Sequence, residues 1–223
     1  MSEVANGIAF PVMMSNVCEQ FQGFFQLKDI GEIERDAYGM PKDRRRVFDS
    51  GLQELKQPDV VMLHYLFPED FSPQIQAESF KYYEKRCKHG SSLSPSVHCV
   101  VGLRNGFDKY AYAYLSLTAL LDLKNMHMDK NLFEGIHIAC AGGTWCATVY
   151  GFGGVHFRGN ELHIDPKMPD KWSKLSYKIT FKGIRYSVTV DKEKFTVRSD
   201  GNTYIFNAGK RCALAANTDY VIG

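Results

Sequence analysis

The hydrophobic period of this chain changes once along its length, and that change constrains the fold more than any single motif. Up to about Gly151, apolar residues recur at helical spacing. In "DKYAYAYLSLTALLDL", Tyr110, Tyr114, Leu117 and Leu121 share one face. Beyond Gly151 the period drops to two: Tyr177, Ile179 and Phe181 alternate with polar neighbours, and Tyr186, Val188 and Val190 repeat the pattern after Lys182-Gly183. That reads as a hairpin. The spacing predicts helices over 12–27, 58–66, 72–86, 95–123 with a break at Gly106, and 138–150, then antiparallel strands. The first 56 residues read as loop-rich, with "AYGMPKDRRR" irregular. The fold class is therefore mainly α followed by β, in two domains or subdomains.

Composition narrows the function. With 223 residues, of which 44% are hydrophobic, the chain can bury a real core. A formal charge of +2 and a single short basic run, Lys42 to Arg46, give no reason to expect a nucleic acid or a membrane surface as partner. The six cysteines show no CxxC spacing and fit reduced thiols in a cytoplasmic protein. "MSEVANGIAF" lacks the layout of a signal peptide, and no stretch approaches the roughly 20 apolar residues of a membrane span. His64, His89, His98, His127, His137, His156 and His163 form no HxH, HExxH or Cys/His ligand spacing, so no metal is expected.

Three stretches could carry chemistry. In "HGSSLSPSVHCVVGL", Ser and Gly precede a helical run whose free backbone N–H groups and dipole suit an anion. Ser91 and Ser92 could donate to phosphate oxygens, while Ser94-Pro95 reads as an N-cap with proline at the first helical position. The competing reading is that these serines only cap and turn. In "EGIHIACAGGTWCATVYGFGG", Gly142 and Gly143 allow close backbone approach, and Trp145 could stack on a sugar or fill a core. His137 lies between two isoleucines, which by itself suggests a core histidine. In "LKQPDVVMLHYLF", Lys56 and Gln57 stand ahead of a helix with core-like Val60, Leu63, Leu66 and Phe67, where Asp59 could complement the dipole and the Lys-Gln pair suits a polyhydroxylated ligand.

The joint occurrence, in order, of "LKQPDVVMLHYLFPEDFS", "YYEKRCKHGSSLSPSVH", "AYAYLSLTALLDL", "GIHIACAGGTWCATVYGFGGV" and "LHIDPKMPDKWSKLSYKITFKG" resembles the C-terminal third of a glycoside hydrolase family 65 enzyme. This is the family of maltose, trehalose, kojibiose and nigerose phosphorylases. The resemblance implies that 1–153 are the C-terminal part of an (α/α)6 catalytic barrel and 154–223 a C-terminal antiparallel, jelly-roll-like β-sandwich. It implies inverting phosphorolysis of an α-linked glucosyl disaccharide to β-glucose 1-phosphate, with inorganic phosphate as co-substrate and no other cofactor.

Carried over by position, Lys56 and Gln57 bind the glucosyl unit, Ser91 and Ser92 bind phosphate, and His137 sits beside the phosphate where related hydrolases carry a carboxylate base. A histidine there fits an anionic nucleophile that a carboxylate would repel. Relatives commonly place an acidic residue where this chain has Gly90. The family's general-acid glutamate belongs to barrel sequence upstream of anything in this chain, so the chain alone is expected to be incomplete and inactive. Its expected partner is the rest of the barrel, in cis or in trans, and the complete enzyme could be a homodimer. Two alternatives stand: a trehalase-like hydrolase of the same family, and a non-catalytic carbohydrate-binding module in which the β-domain does the work.

Overall fold

A computed structural model describes residues 12–36, 40–43, 51–124 and 135–222. The chain divides into two compact units, Met1–Gly143 and Thr144–Gly223. Most of the basic run at 42–46 and His127 lie outside the described residues. Among the described residues, no helix is long and apolar enough to cross a membrane.

The first unit opens with a departure from expectation. Residues 12–27 form no α-helix; they form a two-residue hairpin, β1 (Met13–Met14) against β2 (Val17–Cys18), followed by a 3-10 turn at Phe24–Gln26. Ser15 and Asn16 both have positive φ, 50° and 65°. Two successive left-handed residues reverse the chain and cannot continue a right-handed helix.

The remaining helices follow the sequence more closely: α1 (Asp59–Leu66), α2 (Pro73–Glu84), α3 (Ser94–Arg104), α4 (Ala111–Leu120) and α5 (Ile138–Cys146). Ser72 caps α2 by accepting the Ile75 N–H at 3.3 Å, with Pro73 at the first helical position. The expected break falls at Gly106, whose φ of 78° ends the turn after α3. Helix α1 is rotated from expectation: Val60, Val61 and His64 are buried, whereas Leu66 and Phe67 are exposed. Asp59 is tied to Gln20, whose amide donates to its carboxylate at 2.8 Å.

Val60, Val61, Phe80, Tyr83, Val97 and Val101 form one core with Val17, Cys18 and Phe24 of the hairpin region. The Tyr83 hydroxyl donates to the Cys18 carbonyl, fixing the hairpin to α2. Helix α3 is buried from Ser94 through Leu103 on all sides, as expected of a helix with helical neighbours around it.

In the second unit, α5 runs on into a π-helical stretch at Ala147–Phe152, and then the strands begin. One sheet has the order β10-β7-β6-β5, formed by Asp219–Ile222, Phe195–Ser199, Ile184–Val190 and Leu175–Phe181, all antiparallel. The other has the order β3-β4-β8-β9, formed by Val155–Arg158, Glu161–Ile164, Thr203–Asn207 and Lys210–Leu214, with a parallel pairing between β4 and β8. The Lys182-Gly183 hairpin forms as the sequence predicts, pairing Phe181 with Ile184. Both turn residues have positive φ, the requirement of a two-residue primed turn. Tyr177, Tyr186 and Phe195 are buried. They fill a core, whereas Phe181 is half-buried and stacks on the exposed Phe157 at 5.1 Å.

Candidate active site

The "KQ" and "HGSS" segments are brought together by backbone. Leu55 and Cys87 form a parallel bridge, in which the Leu55 N–H donates to the Arg86 carbonyl at 2.9 Å and the Lys88 N–H to the Leu55 carbonyl at 3.0 Å. The residues that follow each strand of this bridge are therefore neighbours. The Gln57 side-chain amide donates to Ser91 Oγ at 2.8 Å, and the Leu93 N–H donates to the same oxygen at 3.3 Å. With two bonds accepted, the Ser91 hydroxyl retains its own proton as a donor. Ser92 is half-buried, and its hydroxyl makes no hydrogen bond among the described residues. Lys56 is exposed, and its ammonium makes no ion pair among them.

The turn carrying these serines is held from beneath. His89 adopts a φ of 51° and is buried, a conformation that costs a non-glycine residue on the order of 1–2 kcal/mol and persists only where surroundings enforce it. The Ser94 hydroxyl donates to the Ser91 carbonyl at 3.2 Å, and His89 Nδ1 lies 2.9 Å from that hydroxyl oxygen. The proton is therefore assigned to His89 Nδ1. His98 Nδ1 faces the Ser94 carbonyl at 3.2 Å and must donate to it. Burial holds His98 neutral, with its pKa lowered to about 3. The His89, His98 and Tyr114 rings pack at 4.4–5.4 Å, and the Tyr114 hydroxyl donates to Glu84, which also pairs with Arg35 at 2.8 Å.

Ser94 thus works differently from the expected cap. The helix starts at Ser94 itself, Leu93 occupies the cap position without a side-chain bond, and Pro95 is the second helical residue. The Ser94 hydroxyl turns back to brace the Ser91 carbonyl.

His137 precedes α5, and its carbonyl accepts the Cys140 N–H at 2.8 Å. Asp122, just past the end of α4, holds it twice: Oδ2 accepts the His137 N–H at 2.8 Å and Oδ1 faces Nδ1 at 2.8 Å. This commits Nδ1 to Asp122, so a bound anion would be met through Nε2. The start of α5 reaches the serine turn through the Cys140 thiol, 3.0 Å from the Ser92 carbonyl. One turn on, a Cβ on Gly143 would lie 2.7 Å from Ser96 Oγ. Gly143 is therefore required for α5 to lie against the start of α3, while the Cα of Gly142 faces open space.

Cys87, His89 and His98 offer ligand atoms within 4.8 Å of one another, which no spacing motif announced. Desolvation pushes the Cys87 thiol up to about 12, and Ser94 engages Nδ1 of both imidazoles. The cluster is accounted for as a brace. Sequence reasoning missed Asp122, which lies 15 residues from His137 in no recognisable motif, and the bracing role of His89 and His98, which it weighed only as metal ligands.

Known proteins resemble the chain along most of its length. Residues 2–146 match the glycosyl hydrolase family 65 central catalytic domain, and residues 155–214 match the family 65 C-terminal domain. A kojibiose phosphorylase of Caldanaerobacter subterraneus subsp. tengcongensis is 43% identical over 186 residues, covering 81% of this chain and 24% of its own length. An alpha,alpha-trehalose phosphorylase of Thermoanaerobacter brockii is 39% identical over 141 residues, covering 63% of this chain and 18% of its own. A solved structure from the human microbiome, provisionally named a kojibiose phosphorylase, superposes with a TM-score of 0.84 at 28% identity, covering 99% of this chain and 30% of that one. The chain thus spans about a quarter of the length of such relatives, with helices followed by antiparallel and mixed sheets. It belongs to glycosyl hydrolase family 65.

Proposed function

We propose that this chain is the C-terminal part of an inverting α-glucoside phosphorylase, in which phosphate attacks the anomeric carbon of an α-linked glucosyl disaccharide and β-glucose 1-phosphate is released. Residues 1–153 supply part of an (α/α)6 catalytic barrel, and 154–223 a C-terminal β-sandwich. Ser91 and Ser92 donate to the phosphate, Lys56 and Gln57 bind the glucosyl unit, and His137 contacts the nucleophile. Phosphate is the co-substrate, and the reaction needs no other cofactor. The general acid comes from upstream barrel sequence, in cis or in trans, and the protein works in the cytoplasm.

The observation that carries this reading is the Gln57–Ser91 hydrogen bond of 2.8 Å, which couples the proposed sugar-binding segment to the proposed phosphate turn. It leaves a hydroxyl donor at the mouth of α3, where backbone N–H groups and the helix dipole favour an anion. Exposed Ile136, Ile138 and Leu123, at 78–81%, support further barrel sequence packing on the first unit. A hydrolase of the same family is disfavoured because His137 stands where a water-activating carboxylate would be needed. The carbohydrate-module reading loses support from the burial of Tyr177, Tyr186 and Phe195, although Phe157 and Tyr220 of the β-unit are exposed.

The test uses the chain extended upstream to the length of its relatives. Ser91→Ala combined with Ser92→Ala should raise the KM for phosphate by about 10- to 100-fold, from the loss of two hydrogen bonds to a charged group, with the disaccharide KM changed less than threefold. An unchanged phosphate KM would reduce the turn to a simple helix start.

A further inference from the structure

We propose that His156, His163 and Asp165 of the β-unit form a structural site for a borderline divalent cation of the zinc class. In "ELHID", polar residues at alternate positions put Glu161, His163 and Asp165 on one face of strand β4 and its continuation. His156 on β3 is directly opposite His163 in the antiparallel register, so its side chain emerges on the same face. The ligand set is assembled across two strands, which is why no spacing motif reveals it and why the sequence led to the expectation of no metal.

One ligand atom from each of the three residues lies within 4.8 Å of the others, and His156 Nε2 is 3.8 Å from Asp165 Oδ2. Nitrogen and oxygen donors around tetrahedral zinc are separated by about 3.3 Å, given bonds near 2.0–2.1 Å. The donors therefore need to close by up to about 1.5 Å on metal binding, with the stacked His156 and His163 rings turning so that the ion lies in the plane of each.

The outer contacts are those of a ligand set. His156 Nδ1 donates to the Gly154 carbonyl at 3.2 Å, which fixes the tautomer whose Nε2 lone pair faces Asp165. Asp165 Oδ1 accepts the Ala208 N–H at 2.6 Å and the Asn207 amide at 3.2 Å, orienting Oδ2 toward His156. The His163 ring is clamped between Phe206, stacked at 4.8 Å, and His156, stacked at 4.9 Å. Its Nε2 is shielded from solvent, makes no hydrogen bond among the described residues, and lies 3.6 Å from Glu161 Oε2. Glu161 stands outside the three-residue cluster, and water would complete a four-coordinate site. Two imidazoles with one carboxylate favour zinc, cobalt or nickel over calcium or magnesium, which take oxygen donors. The ion would clip the β3–β4 hairpin to the segment leaving β4; this role is separate from phosphorolysis.

The test is titration of the chelator-treated 223-residue chain with zinc chloride by calorimetry, with thermal unfolding followed in parallel. One equivalent should bind with a Kd below about 10 μM, corresponding to about 7 kcal/mol, and the unfolding midpoint should rise. His156→Ala and Asp165→Asn should each weaken binding at least tenfold while keeping the apo circular-dichroism spectrum, and Cys87→Ser should bind zinc like the parent. No saturable binding, binding indifferent to His156→Ala and Asp165→Asn, or binding lost in Cys87→Ser would each overturn the proposal. Magnesium chloride should produce no comparable shift, and an equal response to it would also count against the site.

Discussion

In the extended protein, His137→Ala should lower kcat/KM for phosphorolysis by about 10²–10³-fold, the loss typical of removing a preorganised group beside a charged transition state. Asp122→Asn should lose about 10- to 100-fold, because its carboxylate holds both the His137 backbone N–H and Nδ1 at 2.8 Å. The asparagine can keep only part of that arrangement, since its amide nitrogen is a donor where an acceptor is needed. The split between kinetic constants separates orientation from folding: the Asp122→Asn loss should fall on kcat and the phosphate KM, with the disaccharide KM and the unfolding midpoint nearly unchanged. Wild-type kinetics for Asp122→Asn would show that the imidazole does not need this partner. Wild-type kinetics for His137→Ala would remove the histidine from the site.

The largest stability effect is expected at Gly154→Ala. Gly154 has a φ of 69°, and a Cβ there would lie 1.9 Å from the Asp165 carbonyl oxygen and 2.6 Å from Pro166 N. Both neighbours are backbone, so no side chain can swing aside. The clash sits where the Gly154 carbonyl accepts the Asp165 N–H at 3.0 Å, so relief would break the start of the β3–β4 pairing. Backbone strain of about 1–2 kcal/mol adds to an overpacking cost of about 1–3 kcal/mol, and a unit of this size should lose at least about 10 °C in its unfolding midpoint. Gly209→Ala is the control. Gly209 has a similar φ of 76° with no atom within 4 Å of the added Cβ, so it reports the conformational cost alone and should lose only a few degrees. Equal midpoints for the two variants in differential scanning calorimetry would refute the steric account.

Local signals were the legible ones. Lys182-Gly183 between alternating runs announced its hairpin and Gly106 announced a break, because each acts through backbone geometry within a few residues. The stretch 12–27 misled because apolar residues near helical spacing also occur in a compact hairpin, and the decisive feature was two left-handed residues at Ser15 and Asn16. The burial of α1 could not be read to the residue, since its rotation depends on what packs against it: His64 is buried and Leu66 exposed.

Within the candidate site, Ser91, Ser92, Lys56, Gln57 and His137 were reachable through family resemblance. The structure adds the bond between Gln57 and Ser91 and the bracing of the turn by Ser94, His89 and His98. Asp122 with His137, and His156 with Asp165, are pairings across loops or strands. A linear motif cannot encode such pairs, because their proximity exists only after folding.

The central claim is phosphorolysis, and the most direct measurement follows products by phosphorus and proton NMR when the extended protein is offered kojibiose, trehalose, maltose or nigerose with and without inorganic phosphate. At least one of these sugars should yield glucose 1-phosphate in the β configuration only when phosphate is present, and the 223-residue chain alone should yield none. Glucose released at the same rate without phosphate would contradict the account and make the protein a hydrolase. Turnover by the 223-residue chain alone would contradict the assignment of its general acid to upstream sequence.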